Sequence, residues 1–419
     1  MKGKPFWRYE NVLVMLLGVN FGIVFFDRNA MSYLGPLVQK DLALSNAQIG
    51  LIASGFSLAW GLSGFVGGAL LDRFGHRKLF LGVATVIFSI CSIVSGLSPS
   101  FGLLLAARMF MGVAEGPMNP VQQSFIAAES SQGRLGLNVG LVQNFGSQLL
   151  GSFIAPLLIG ALAAAFGWRH AFFVSAIPGL IMATIIFFVV REPNIAPPKP
   201  GEAARMSLPE MLRHHNIWLS MVISLFMVPW MVLGWTFLPL LYASFRHFDP
   251  ATGSWLMAVL GASAMLGAIL LPGLSDRIGR KPVMIFGCIL GALTPLAALY
   301  FGGSVWILGA LLFIGWLCSG VFPLFMGAIP SETISARYVA TTCGLIQGMG
   351  EAIGGFVAPT AAGKAADAYG LPAAMWIMAA CAVIGGLLSL GLKETAPARV
   401  GRQAEPTQVP GQDATAVSV

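Results

Sequence analysis

The chain has 419 residues, of which 56% are hydrophobic and only 10% charged, with a mean hydropathy of +0.79. Soluble domains average about 25% charged residues, so a soluble globular protein is excluded. The net charge of +7 would hint at a nucleic-acid partner in a soluble protein, so where the positive residues sit decides its meaning.

A bilayer-crossing helix needs about 20 apolar residues. Such stretches are predicted at 11–38, 46–70, 78–97, 101–128, 137–163, 168–190, 217–244, 251–272, 282–301, 304–328, 338–363 and 371–392. Each is hydrophobic most of the way round, as expected for helices buried in lipid and in one another. The first follows MKGKPFWRYE and carries charges in its middle, unlike a cleavable leader, so retention is expected. With the N-terminus inside, outer loops hold only Lys40, Arg169, Arg246 and Lys364. Arg28 and Arg108 fall within the membrane, and the other basic residues are cytoplasmic. That asymmetry obeys the positive-inside rule, places both termini in the cytoplasm and points to an inner (plasma) membrane location. Cys91, Cys288, Cys318, Cys343 and Cys381 all lie in apolar spans without paired spacing, so neither disulfides nor a metal site is expected.

Internal repetition appears at an offset of 203 to 204 residues. DRFGHRK at 72–78 returns as DRIGRKP at 276–282, and GLVQNFGSQLLGSFIAP at 140–156 returns as GLIQGMGEAIGGFVAP at 344–359. Pro120 pairs with Pro323, and Arg134 with Arg337. An offset of six spans keeps both copies in one orientation, the parallel repeat of two-lobed secondary transporters with a cavity between the lobes. The expected fold is therefore an all-α membrane protein with twelve transmembrane helices in two pseudo-symmetric six-helix lobes. The lobes are residues 1–190 and 217–394. A cytoplasmic linker, 191–216, has a capping-box signature at Ser207 to Glu210, and 395–419 is expected to be a disordered cytoplasmic tail.

The loop GGALLDRFGHRK, its copy LSDRIGRKP and GWRHAFF at 167–173 resemble the major facilitator superfamily along nearly the whole chain. FFDRNAMSYLGPLVQKDLALSNAQIG, with Arg108 and Glu115 in RMFMGVAEGPMNP, resembles its anion:cation symporter family, which includes bacterial sugar-acid and aromatic-acid carriers. The resemblance implies proton carriage by Asp27 and Glu115, and an anion or gating role for Arg28 and Arg108. It also implies an inner gate made of Asp72, Arg73, Arg77 and their copies Asp276, Arg277 and Arg280.

The residues support a similar reading by themselves. Asp27, Arg28, Arg108, Glu115 and Glu351 lie at membrane depth, where each charge costs roughly 2.5–3.5 kcal/mol on insertion scales. Buried ion pairs that only fix packing are weak sources of stability, so a functional site is favoured over a scaffold. At the repeat offset, Asp27 and Arg28 fall on Trp230, Met231 and Val232, while Arg108 and Glu115 fall on Leu311, Leu312, Cys318 and Ser319. The charges thus belong to one lobe. Arg108 and Glu115, about two turns apart, share a helix face, and Asp27 and Arg108 lie at similar depth. Protonating Asp27 or Glu115 would make this neutral set positive and able to pair with a carboxylate through an arginine fork.

Glu351 departs from the family, which has a neutral polar residue in that stretch of helix 11. It is read as a second proton site or as a group meeting a hydrophilic part of the substrate. A protonated acid hydrogen-bonded between helices is the structural alternative. Its repeat mate Ser147 and the adjoining Gln148 are candidate cavity groups. Helix 7 offers Trp230 and Trp235 but few hydroxyls or amides, so an apolar-bodied acid is expected in preference to a polyhydroxy one. Lipid-facing tryptophans are the alternative there.

No HExxH, G-x-S-x-G or P-loop is present, which argues against an embedded enzyme or an ATP pump. The expectation is a monomeric secondary transporter of a small organic anion with protons, without cofactor, metal or nucleic acid. Proton-linked drug or metabolite efflux and sugar-acid uptake are the alternatives.

Overall fold

A computed structural model describes residues 9–74, 76–131, 138, 141, 142, 146–193, 212–334, 339–396 and 399, without the side chains of 65–74, 127 and 339–341. The Ser207 to Glu210 capping signature, the side chains of Asp72 and Arg73, Arg134 and Arg337, and nearly all of the expected tail lie outside the described residues.

The helices of the described residues group into twelve successive rods, and each predicted span overlaps one. The first six are α1 (Tyr9–Asp41), α2 (Asn46–Phe74), α3 (Arg77–Leu97), α4 (Phe101–Glu115 and Met118–Glu129), α5 (Ser147–Phe166) and α6 (Trp168–Val189). The second six are α7 (His215–Phe245), α8 (Pro250–Ile278), α9 (Arg280–Tyr300), α10 (Val305–Thr333), α11 (Val339–Met349, Gly350–Gly354 and Gly355–Tyr369) and α12 (Pro372–Ser389). No strand occurs among the described residues, and nine of their helices are long and apolar enough to cross a membrane.

The helix ends have local causes. Asp249 precedes α8, accepts from the Thr252 amide at 3.2 Å and is followed by Pro250, which suits the first helical position. Gly167 and Gly370 take positive φ (81° and 85°) at equivalent turns, α5 into α6 and α11 into α12. Between α2 and α3 the first copy of the loop carries one residue more than the second. His76 takes up the extra length in left-handed backbone (φ 41°), beside the position that its repeat fills with Gly279 (φ 111°).

Within the first six helices the main contacts are α3 with α6, α2 with α4 and α1 with α5; within the second six they are α7 and α9 with α12, and α8 with α10. Among the described residues the main pairs across the halves are α2 with α11, α5 with α8 and α1 with α7. These junctions are very close. A Cβ on Gly50 would overlap the Pro359 carbonyl, and one on Gly261 would overlap that of Ser152. Toward the end of the bundle that holds the 41–46 turn, Thr360 donates to Ser54 Oγ at 2.8 Å. Farther out, the Asp367 carboxylate accepts the amides of Asn46 and Ala47 at 2.8 and 2.9 Å, capping the start of α2 from the other lobe. That end of the interface is closed.

Gly50→Val is therefore expected to hold α2 off α11. Overpacking of about 1–3 kcal/mol shifts the balance toward the form open at that end by roughly 5- to 150-fold. A cysteine introduced at Ser54 should then react faster with maleimide in detergent. Unchanged reactivity means the two helices do not need this contact to close.

Candidate functional site

Adjacent helical residues point about 100° apart, so Asp27 and Arg28 of α1 face different surroundings. Asp27 is fully buried inside its own lobe, where its Oδ1 accepts hydroxyls from Ser92 of α3 and, at 2.9 Å, Ser175 of α6. Arg108 of α4 lies beside it, donating Nη1 to the Asp27 backbone carbonyl at 3.4 Å with its guanidinium 4.8 Å from the Phe172 ring centre. Glu115 follows on α4, buried and within electrostatic reach of Arg28, Asp27 and Arg108.

Arg28 points out of the lobe. Its guanidinium stands 5.4, 4.8 and 5.3 Å from the ring centres of Phe25, Phe56 and Trp60, and Nη2 is 3.9 Å from Glu351 Oε1 across the lobe interface. The five intramembrane ionisable residues thus form one cluster, with Glu351 joined from the second lobe. The sequence separately placed Asp27, Arg108 and Glu115 near one another; the Arg28–Glu351 contact is new.

The cluster is poorly bonded internally. Arg108 Nε and Nη2, Asp27 Oδ2, both Glu115 carboxylate oxygens and Glu351 Oε2 are buried without a hydrogen-bond partner among the described residues. Each such group costs about 1–3 kcal/mol, more where it is charged. Several of the buried unsatisfied groups converge here, two donors and several acceptors around one membrane-depth site, which suits a site that exchanges partners better than a fixed scaffold.

Gln148 and Glu351 sit on repeat-related π-helical turns, Ser147–Ile154 and Gly350–Gly354. Such turns leave carbonyls outside the regular ladder. Asn29 Nδ2 and Tyr33 Oη of α1 both donate to the Gly151 carbonyl at 3.0 Å.

The tryptophans of α7 have separate fates. Trp230, expected on the substrate, is instead enclosed in the second lobe: it is 0% exposed, gives its Nε1 proton to the Gly291 carbonyl at 2.9 Å and packs on Trp316 at 4.6 Å. The all-round apolar helix gave no sign that this face turned inward. Trp235 is half-buried, packed edge-on to Trp316 at 5.2 Å and to Tyr33 of the first lobe at 6.3 Å. It adjoins the lobe interface.

At the opposite, 74–77 end, Arg280 bonds Asp276 at 2.6 Å and Glu332 of α10 at 2.7 Å. Arg277 is exposed, and Arg77 begins α3. Two acids missed in the sequence complete this end. Glu192 accepts the amides of Arg77 and Lys78 at 2.5 and 2.9 Å, and Glu394 accepts those of Arg280 and Lys281 at 2.7 and 3.2 Å. They lie 202 residues apart, and each ties the last helix of its lobe to the start of the third. Burial alone would raise the Glu394 carboxyl, but the amides of Ala396, Arg280, Lys281 and Thr395 outweigh it and hold it below the usual carboxylate range.

A family model described as the Major Facilitator Superfamily matches residues 16–359 and 235–413. A hexuronate transporter of Bacillus subtilis is 36% identical over 181 residues, 43% of this chain; the matched segment spans 42% of that protein's length. A probable sulfoacetate transporter of Cupriavidus necator is 24% identical over 90% of this chain and 93% of its own. Among solved structures, a mutant form of the nucleoside transporter NupG superposes with a TM-score of 0.77 at 15% identity, covering 91% of this chain and all of its own. A bacterial homologue of the lysosomal transporter Spinster, inward-facing and occupied, gives 0.72 at 19% identity over 93% of this chain and 97% of its own.

Proposed function

Because the chain belongs to the Major Facilitator Superfamily and is a multi-pass membrane transporter, we propose that it carries a small organic anion together with protons by alternating access. The convergence of under-bonded buried charges, Arg108 with free donors beside Asp27 and Glu115 with free acceptors, carries this reading. When Asp27 or Glu115 takes a proton, the set of Asp27, Arg28, Arg108 and Glu115 becomes positive and pairs with an acid group. When the anion leaves, the arginines draw the proton off. The 41–46 end is proposed as the outer side, with both termini cytoplasmic in the inner membrane and Asp72, Arg73, Arg77, Asp276, Arg277 and Arg280 at the inner gate. The carrier is proposed to work as a monomer.

The anion's acid group is placed between Arg28 and Arg108. Its body is placed against Trp235 and Tyr33, with Gln148 as a polar neighbour. The Tyr33 hydroxyl and the Asn29 amide already donate to the Gly151 carbonyl, so the proposed substrate is compact or flat and sparingly hydroxylated. A sugar acid is the second reading, favoured by the hexuronate transporter at 36% identity over part of the chain. The sulfoacetate relative, aligned over 90% of the chain, suits a short hydroxyl-free anion.

Uptake into proteoliposomes with and without an inward proton gradient tests both levels. Gradient-dependent uptake of an organic anion is expected, with benzoate or sulfoacetate competing better than glucuronate. Stronger competition by glucuronate moves the substrate to the sugar acids and leaves Trp235 a packing residue. Gradient-independent uptake removes proton coupling.

A further inference from the structure

Glu351 stands apart from the other acids of the cluster because it reaches the site from the second lobe. Its position in the first-lobe repeat is Ser147. Both begin or occupy a π-helical turn, so the same backbone irregularity presents a hydroxyl in one lobe and a carboxylate in the other. Glu351 is 5% exposed, and only its Oε1 approaches a cation, at 3.9 Å from Arg28 Nη2. Oε2 makes no hydrogen bond of good geometry among the described residues, and the Ser57 hydroxyl is the polar group that interacts with the carboxylate.

That separation is too long for a hydrogen bond, and an arginine fork met by a free carboxylate closes to about 2.7–2.9 Å through two bonds. Glu351 therefore neutralises Arg28 without saturating it. Among the described residues, Glu115 is the other charge within electrostatic reach of Arg28. The α2 helix faces Glu351 with Ser57, and α7 faces its turn with Ser224, Val228 and Pro229. Around Arg28 stand the rings of Phe25, Phe56 and Trp60, with Glu115 within electrostatic reach.

Charge balance then separates Glu351 from the rest. Asp27, Arg28, Arg108 and Glu115 sum to zero when ionised, and Glu351 makes the cluster negative. An entering anion meets a site that already holds one carboxylate too many. We propose, building on the proton-coupled anion reading above, that Glu351 is a tethered competitor for the anion-binding face of Arg28. The substrate's acid group takes that face only when Glu351 binds a proton from solution and withdraws, so one proton is taken up at Glu351 for each anion bound. This proton is additional to any carried by Asp27 or Glu115. Without substrate, the Arg28–Glu351 pair spans the lobes and keeps the site closed; with substrate, the anion replaces it.

The linkage is measurable, because each proton taken up on binding steepens log Kd against pH by one unit. Purified wild type, Glu351→Gln and Glu351→Asp are titrated from pH 5 to 8 with benzoate, glucuronate and sulfoacetate, with tryptophan fluorescence reporting binding and a pH dye counting protons. For whichever anion binds, Glu351→Gln is expected to lower the slope and the proton count by one. Its affinity near pH 8 should rise at least about tenfold, and Glu351→Asp should keep the wild-type slope. Equal slopes and proton counts in wild type and Glu351→Gln overturn the competitor role, while proton uptake by both forms leaves the broader reading standing. Binding without proton uptake in wild type overturns proton coupling itself. If none of the three anions binds either form, the anion reading falls and this proposal with it.

Discussion

Asp27→Asn and Glu115→Gln should each sharply lower uphill accumulation while leaving downhill exchange. A gradient of one pH unit supports about tenfold accumulation per coupled proton, so the expected ratio drops about tenfold, to what the proton at Glu351 sustains. Both substitutions preserve shape. An asparagine in place of Asp27 could still accept the Ser92 and Ser175 hydroxyls through its amide oxygen, and the Glu115 oxygens have no hydrogen-bond partner among the described residues to lose. Accumulation and counterflow in the same vesicles separate coupling from binding. A wild-type accumulation ratio in both variants assigns proton carriage elsewhere.

Arg108→Gln should have the other large effect, on binding itself. Arg108 is 1% exposed and has two nitrogens without a hydrogen-bond partner among the described residues, so in the proposed site its charge would act on a ligand in a medium that screens little. Truncating one side of a buried charge pair costs about 2–5 kcal/mol, and affinity should fall by roughly 30-fold to several thousandfold. Folding needs a separate check, because Asp27 and Glu115 lose their neighbouring cation. Arg108→Lys keeps the charge but not the fork and should recover thermal stability more fully than affinity. If Arg108→Gln binds the anion as wild type does, the guanidinium is a packing element against Phe172.

The all-helical membrane fold and its division into halves were legible because long apolar runs and a repeat survive in one dimension. The meeting of Asp27 with Arg108 was legible too, since helical rise converts residue counts into depth. Partners across a lobe interface were not. Arg28 and Glu351 are joined by tertiary closure alone, and no repeat mate of either carries charge. Trp230 and Trp235 are five residues apart on one apolar helix, and hydropathy cannot say which faces a lobe interior. Ser92 looked like Ser89 and Ser95, which bond their own helix at Thr85 and Cys91, so its service to Asp27 left no trace in composition. Glu192 and Glu394 could have been found as a repeated acid just past the sixth and twelfth spans.

The junction of α2 with α11, and of α5 with α8, is made by glycine against backbone at Gly50, Gly261 and Gly363. Glycine has no rotamers to freeze, whereas a long side chain loses up to about 2 kcal/mol of conformational entropy when it is immobilised. Two such surfaces can part and meet repeatedly with little to reorganise on either face. In the alternating-access cycle proposed above, friction should then be concentrated in discrete polar fastenings, Ser54 with Thr360 and Asp367 with the first amides of α2. On that reading the lobes resemble smooth plates held by clasps more than interlocking gears, and the turnover rate is expected to follow how quickly those clasps release.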